Sequence, residues 1–222
     1  VPLCVSSWLD HCFYEAGLRA RGSGGKVVPI DERGPVPAEL RRFIWDIQSM
    51  VELAESEREI LMIGSDLLSR LLASDDWLPP VFAAPEPAAG RQFQIYRDGM
   101  ERFCVVSTVL AGGAALIVDQ PGVWEIAGGV AGSIERRPSD GAVGARLISA
   151  GAVETLRSGR CDGFRLSNAH DDRIALAIHV YGGEIGRLDR RAAGQKGAPF
   201  GYANDQSAPP YDIFSIQADI RD

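Results

Sequence analysis

The sequence predicts a mainly β protein, an antiparallel barrel or double-sheet jelly roll preceded by a helical segment. Three observations lead there. After Pro87 the chain breaks into eight short β-branched runs separated by Gly, Asp and Ser, with no helical pattern between them. Between Pro37 and Leu72 apolar residues recur at helical spacing instead. The 222 residues include 25 Gly and 13 Pro, a supply of turn formers that suits many short strands.

Taken in order, residues 1–35 form an N-terminal extension. It holds a short helical pattern around Trp8 to Leu18, then RGSGGK and the proline-punctuated DERGPVP. A helical segment follows over 36–82. Leu40, Phe43, Ile44, Ile47, Met50, Val51 and Leu53 make one apolar stripe. Ile60, Leu61, Ile63, Leu67, Leu68, Leu71 and Leu72 make the next, so two or three amphipathic helices are expected to pack on the barrel. Pro79 and Pro80 end them, because proline lacks the amide donor and restrains the residue before it. Residues 88–222 are expected to be the β domain, with runs RFCVVSTVLA, ALIVDQ, VWEIAGGV, GSIERR, GARLIS, AVETL, GFRLSN and RIALAIHVYG.

Charge and cysteine usage narrow the partners. A net charge of -7 repels phosphate backbones and anionic bilayers, so neither nucleic acid nor membrane is expected as a partner. The Arg136–Arg137 pair and the Arg187, Arg190, Arg191 cluster read as solvated faces, Arg190 excepted. No run reaches the roughly 18 apolar residues of a membrane span. Cys4, Cys12, Cys104 and Cys161 are scattered without metal-ligand spacing, which fits reduced thiols in a cytoplasm. Cys104 and Cys161 read as small buried hydrophobes, and His11 and His170 carry no assigned chemistry.

Motif spacing supplies the functional reading. Gly112 is followed after five residues by Val118, Asp119 and Gln120, then after four by Glu125 and after six by Gly132. That spacing resembles the first motif of the cupins, in which histidines stand where Val118 and Gln120 stand here. GRCDGFRLSN resembles the second cupin motif, with Asn168 kept and Phe164 in place of the remaining histidine. Longer stretches, DDWLPPVFAAPEP, ERFCVVSTVL, AGAVETL with RLSN, and above all IALAIHVYGGEIG, resemble bacterial thiol dioxygenases of the cysteine and 3-mercaptopropionate type over roughly residues 37–206. The resemblance implies a cupin double-stranded β-helix and an iron cofactor. The ligand positions Val118, Gln120 and Phe164 oppose the iron, since a valine, an amide and a phenyl ring lack the donors that iron needs. No metal and no other cofactor is therefore expected, although Glu125, His179, Asp119 and Cys104 remain as residues for a relocated site.

Where residues match, the resemblance implies more. His179 and Tyr181 stand where the family has a His and a Tyr in a hydrogen-bonded relay beside the iron, shortened here because Ala177 replaces its serine. Arg190 resembles an arginine that binds a substrate carboxylate, and Gln92 a glutamine of the same branch. Glu125 sits where general cupins have a ligating carboxylate, and burial there would suit a general acid or base. Trp124 and Phe164 are expected to fill the space of the lost metal site.

The expectation is thus a metal-independent protein binding a small organic acid. Glu125, His179 and Tyr181 would serve proton transfer, as in an isomerase, lyase or cyclase, and Arg190, Gln92, Gln120, Phe164 and Trp124 would contact substrate. Two alternatives stay open: a non-catalytic descendant acting as an interaction module, and a thiol dioxygenase with unusual ligands. Assembly as a homo- or hetero-oligomer is compatible with either.

Overall fold

The computed structural model describes residues 31–118, 122–138, 144–159, 163–186 and 201–218. Two helices open it, α1 (Ala38–Leu53) and α2 (Glu57–Leu72). Pro37 stands at the cap of α1, where its missing N–H costs nothing. Ser56 caps α2 by accepting from the Glu59 amide at 3.3 Å, while the Glu59 carboxylate accepts from the Glu55 amide at 3.1 Å. That is the reciprocal logic of a capping box shifted by one residue. Leu40, Ile44 and Ile47 of α1 and Leu61, Leu68 and Leu71 of α2 face the core. A 3-10 turn (Pro80–Ala83) closes the segment.

Among the described residues nine strands follow: β1 (Gly90–Arg97), β2 (Cys104–Leu110), β3 (Ala115–Val118), β4 (Glu125–Ala131), β5 (Ser133–Pro138), β6 (Arg146–Ser149), β7 (Val153–Leu156), β8 (Phe164–Asn168) and β9 (Ala175–Tyr181). They form one sheet of order β1-β2-β9-β4-β7 and another of order β3-β8-β5-β6, antiparallel throughout. Early strands pair with late ones, β2 with β9 and β3 with β8, so the ribbon of paired strands is wound up as a double-stranded β-helix. The eight expected runs became β2 to β9. The unexpected strand is β1, and it extends the first sheet.

Alternation divides the first sheet into two faces. Phe93, Ile95, Val105, Ile126, Ile178 and Val180 join the core shared with the helices. Cys104, Val106, Ala127, Ala175, Ala177 and Tyr181 turn to the barrel interior. Close approach of α2 to β4 depends on glycine: a Cβ on Gly64 would overlap Ile126, and one on Gly128 would overlap Leu68 and Leu72. A short C-terminal helix α3 (Ile213–Ala218) follows Tyr211, which pairs with Tyr96 and whose hydroxyl donates to the Arg33 carbonyl at 2.8 Å. The Arg33 guanidinium in turn donates to the Pro210 carbonyl at 2.8 Å.

The two ends of the barrel differ. At one end the turns 111–114, 149–152 and 169–174 are tied down, most of all by Asn168, whose amide reaches the carbonyls of Leu110, Ala111 and Arg173. The other end gathers the start of β2, the end of β3, the starts of β4 and β8 and the ends of β5 and β9, because Cys104, Tyr181 and Glu125 stand in one register row and Val118, Phe164 and Pro138 in another.

Candidate functional site

The site lies at this second end and is laid out by register. One interior row of the first sheet runs Cys104, Tyr181, Glu125, Leu156, and the next runs Gln94, Val106, His179, Ala127, Glu154. Residues directly opposite one another on antiparallel strands share a face. From the facing sheet β5 sends in Arg136, two residues beyond the buried Ile134 and therefore on the same side of its strand.

A charge cluster results. Arg136 donates through Nη2 to Oε1 of Glu125, and Nδ1 of His179 bonds the same oxygen at 2.7 Å. Glu125 is 1% exposed, Arg136 3% and His179 0%. The His179 and Tyr181 rings stack with centroids 5.8 Å apart, and the Arg136 guanidinium carbon lies 5.1 Å from the centroid of Phe164. Burial alone would raise the Glu125 carboxyl, but the facing guanidinium and the His179 bond override it and hold the group at about 2. Burial pushes the Tyr181 phenol well above its ordinary range, and the Glu125 charge pushes it the same way, so the phenol stays a proton donor. In neutral His179 the ring hydrogen on Nδ1 faces the ionised Glu125, which leaves the lone pair on Nε2.

A pH dependence follows. The folded Glu125 titrates below its unfolded value of about 4.3, so its stabilisation is complete above that pH and is lost as pH falls towards the folded value of about 2. Urea unfolding at a series of acid pH values is expected to show stability declining across this window. A variant carrying both Glu125→Leu and Arg136→Met lacks this part of the slope.

The winding of β2-β9-β4-β7 against β3-β8-β5-β6 decides the architecture. The fold is the double-stranded β-helix of the cupins. No protein-family profile matches the chain. Solved structures similar to it include an uncharacterized conserved protein with a double-stranded β-helix domain from Klebsiella pneumoniae, at 13% identity over 52% of this chain and 94% of that one, TM-score 0.42. The Cupin_2 domain of an XRE family transcriptional regulator from Enterobacter cloacae is 15% identical over 43% of this chain and 97% of its own, TM-score 0.36. The Schizosaccharomyces pombe Cnp3 cupin domain is 11% identical over 48% and 70%, TM-score 0.36.

Within the cupin barrel the residues singled out from the sequence divide into groups. Glu125, His179 and Tyr181 meet in one cluster, with Phe164 beneath its guanidinium. Gln92 is inside the barrel but a row further from that end, its amide donating to Thr108 Oγ1 at 2.9 Å. Gln94 is the glutamine in the His179 row, and it donates to Glu184 at 2.6 Å. Trp124 does not fill the barrel. It belongs to the core shared with the helices and lies against Gly182, because the alternation that turns Glu125 inward turns its neighbours outward. Gln120, Asp119, Cys161, His11 and Arg190 lie outside the described residues. Cys104 is wholly buried and its thiol is pushed up to about 12, first by burial and then by the charge of Glu184. Such a thiol is inert at neutral pH.

Two site residues escaped the sequence reading. Arg136 had been read as solvated with Arg137, but only Arg137 is exposed. The signal was present in SIERRP, where Ile134 and Arg136 alternate with Glu135 and Arg137. Glu154 is the second, inward-facing opposite Ala127.

The iron implied by the resemblance does not fit these residues. Val118 and Phe164 offer hydrocarbon to the site, and Glu125 is already engaged by Arg136 and His179. A guanidinium over Phe164 places a positive charge where a second would be repelled. Among the described residues no group of three or more His, Cys, Asp or Glu side chains is arranged to hold a metal ion. No described helix is long and apolar enough to cross a membrane.

Proposed function

We propose that this protein binds a small organic acid inside its cupin barrel without a metal, and that Glu125, His179 and Tyr181 move a proton on the bound acid, as in an isomerase, lyase or cyclase. The supporting observation is the Glu125–His179–Arg136 cluster: a buried carboxylate orienting a buried imidazole, beside a buried guanidinium with two nitrogens still unpaired. Sequence stretches similar to thiol dioxygenases support descent from that group, and Val118 and Phe164 support the loss of its oxidative chemistry.

The chemistry proposed needs only these groups. An acid's carboxylate accepts a charge-assisted hydrogen bond from an unpaired N–H of Arg136. His179 Nε2 takes a proton from the carbon next to that carboxylate, and the resulting imidazolium is stabilised by Glu125. In an acid with a β,γ double bond, the electron pair left on the α-carbon forms the α,β double bond while the old π pair takes the proton from His179 at the γ-carbon. In an acid with a leaving group on the β-carbon, the pair forms the same double bond as that group departs with the proton. Tyr181 is a proton donor to the developing oxyanion.

The test combines metal analysis with proton exchange. Protein purified from iron-supplemented cells is expected to contain far less than one equivalent of any transition metal. In deuterated buffer it is expected to exchange a carbon-bound proton of a binding acid, found by NMR across a panel of short carboxylates. His179→Ala is expected to slow this by at least about a hundredfold and Glu125→Gln by a smaller factor. Stoichiometric iron with oxygen uptake on cysteine or 3-mercaptopropionate would overturn the proposal, and so would exchange that survives both substitutions.

A further inference from the structure

Four buried side-chain polar atoms lack a hydrogen-bond partner among the described residues: Nε and Nη1 of Arg136, Nε2 of His179 and Oε2 of Glu154. Unsatisfied atoms of this kind are scarce in folded proteins, and each needs a physical reason. Here they share one stretch of the interior. His179 and Glu154 flank Ala127 in a single register row, with backbones about 10 Å apart. Arg136 reaches across from the facing sheet to Glu125, two residues from Ala127 on the same strand, and its guanidinium feels the charge of Glu154.

We infer that this niche takes a small carboxylic acid that also carries a hydrogen-bond donor, hydroxyl or ammonium, next to its carboxylate, and that Glu154 selects for that donor. The inference rests on the organic-acid reading and deepens it. A plain carboxylate accepts from an unpaired Arg136 nitrogen but leaves Glu154 Oε2 dry and unpaired, at the desolvation cost of a buried acceptor. It also adds a further anion to an interior that already holds Glu125 and Glu154 against one arginine. A donor on the neighbouring carbon removes the first defect, and an ammonium removes both. The carbon between the two groups is then the one presented to His179 Nε2. A site built to hydrogen-bond a polar group discriminates strongly against analogues that lack it, since its own buried atom is left unpaired.

Three acids on one carbon skeleton separate the outcomes: propanoate, lactate and alanine, titrated calorimetrically into the full chain. Lactate or alanine is expected to bind at least about tenfold more tightly than propanoate, the worth of one hydrogen bond to a charged group. Glu154→Leu is expected to erase the preference, so that all three acids bind alike, while a cooperative urea unfolding transition shows that the variant is folded. Glu154→Gln keeps an acceptor without its charge, so it retains the preference for lactate and loses that for alanine. Equal binding of all three acids by the unaltered protein, or a preference that survives Glu154→Leu, overturns the role of Glu154 while leaving the organic-acid reading intact. Binding of none of them sinks that reading as well and leaves ordered water as the occupant of the niche.

Discussion

Replacing Arg136 by methionine is expected to destabilise the protein by about 3–5 kcal/mol, the usual consequence of removing one partner from a buried ion pair. Methionine keeps an unbranched apolar stem but loses the guanidinium that lies over Phe164, so a double variant is needed to separate charge from packing. Glu125 is left ionised in an interior that excludes water, with only the His179 bond to offset it. The measurement is equilibrium unfolding in urea, and its decisive arm is the double variant. Adding Glu125→Leu removes the stranded carboxylate and is expected to recover most of the lost stability, because apolar groups of similar volume replace buried ion pairs at little cost. A double variant as unstable as the single one would place the effect of Arg136 in packing.

Gly129→Ala is expected to cost on the order of 3 kcal/mol, by the overpacking mechanism. Gly129 sits at the irregularity in β4, where its amide donates to the Ala152 carbonyl at 3.0 Å and its carbonyl accepts from Gly151 at 2.9 Å. A Cβ there would overlap the backbone carbonyl of Ser149, which cannot rotate aside as a side chain can. The first sheet and the β6–β7 turn would have to separate. Thermal unfolding checks this, with Gly99→Ala as the control, since nothing stands near the Cβ position of Gly99 and its backbone does not require glycine. A loss at Gly129 no larger than at Gly99 would refute the steric argument.

The strands were legible because each is a local pattern. β2 to β9 announce themselves through β-branched residues between turn formers, whereas β1 alternates Gln92 and Gln94 with Phe93 and Ile95 and so reads as mixed polarity. Its glutamines are inward because the barrel interior at this level is polar, a property of the assembled sheets. Arg136 was misjudged for the same reason. A charged residue on a strand is usually solvated, and only the presence of Glu125 across the barrel reverses that. The resemblance to the thiol dioxygenases implied His179 and Tyr181, and the cupin spacing Glu125; they converge because the last belongs to β4 and the others to β9, its hydrogen-bonded neighbour. The inward turn of Glu154 could not, because AVETL carries no mark of which face is buried.

The guanidinium at the centre of the cluster has an evolutionary consequence. A positive charge supplied by an ion depends on uptake, insertion and oxidation state, and the cell can withdraw it. One supplied by Arg136 arrives with translation, needs no maturation step and survives starvation for trace elements. It is also inherited one codon at a time, so the character of this interior is open to selection through substitutions at a single position of β5.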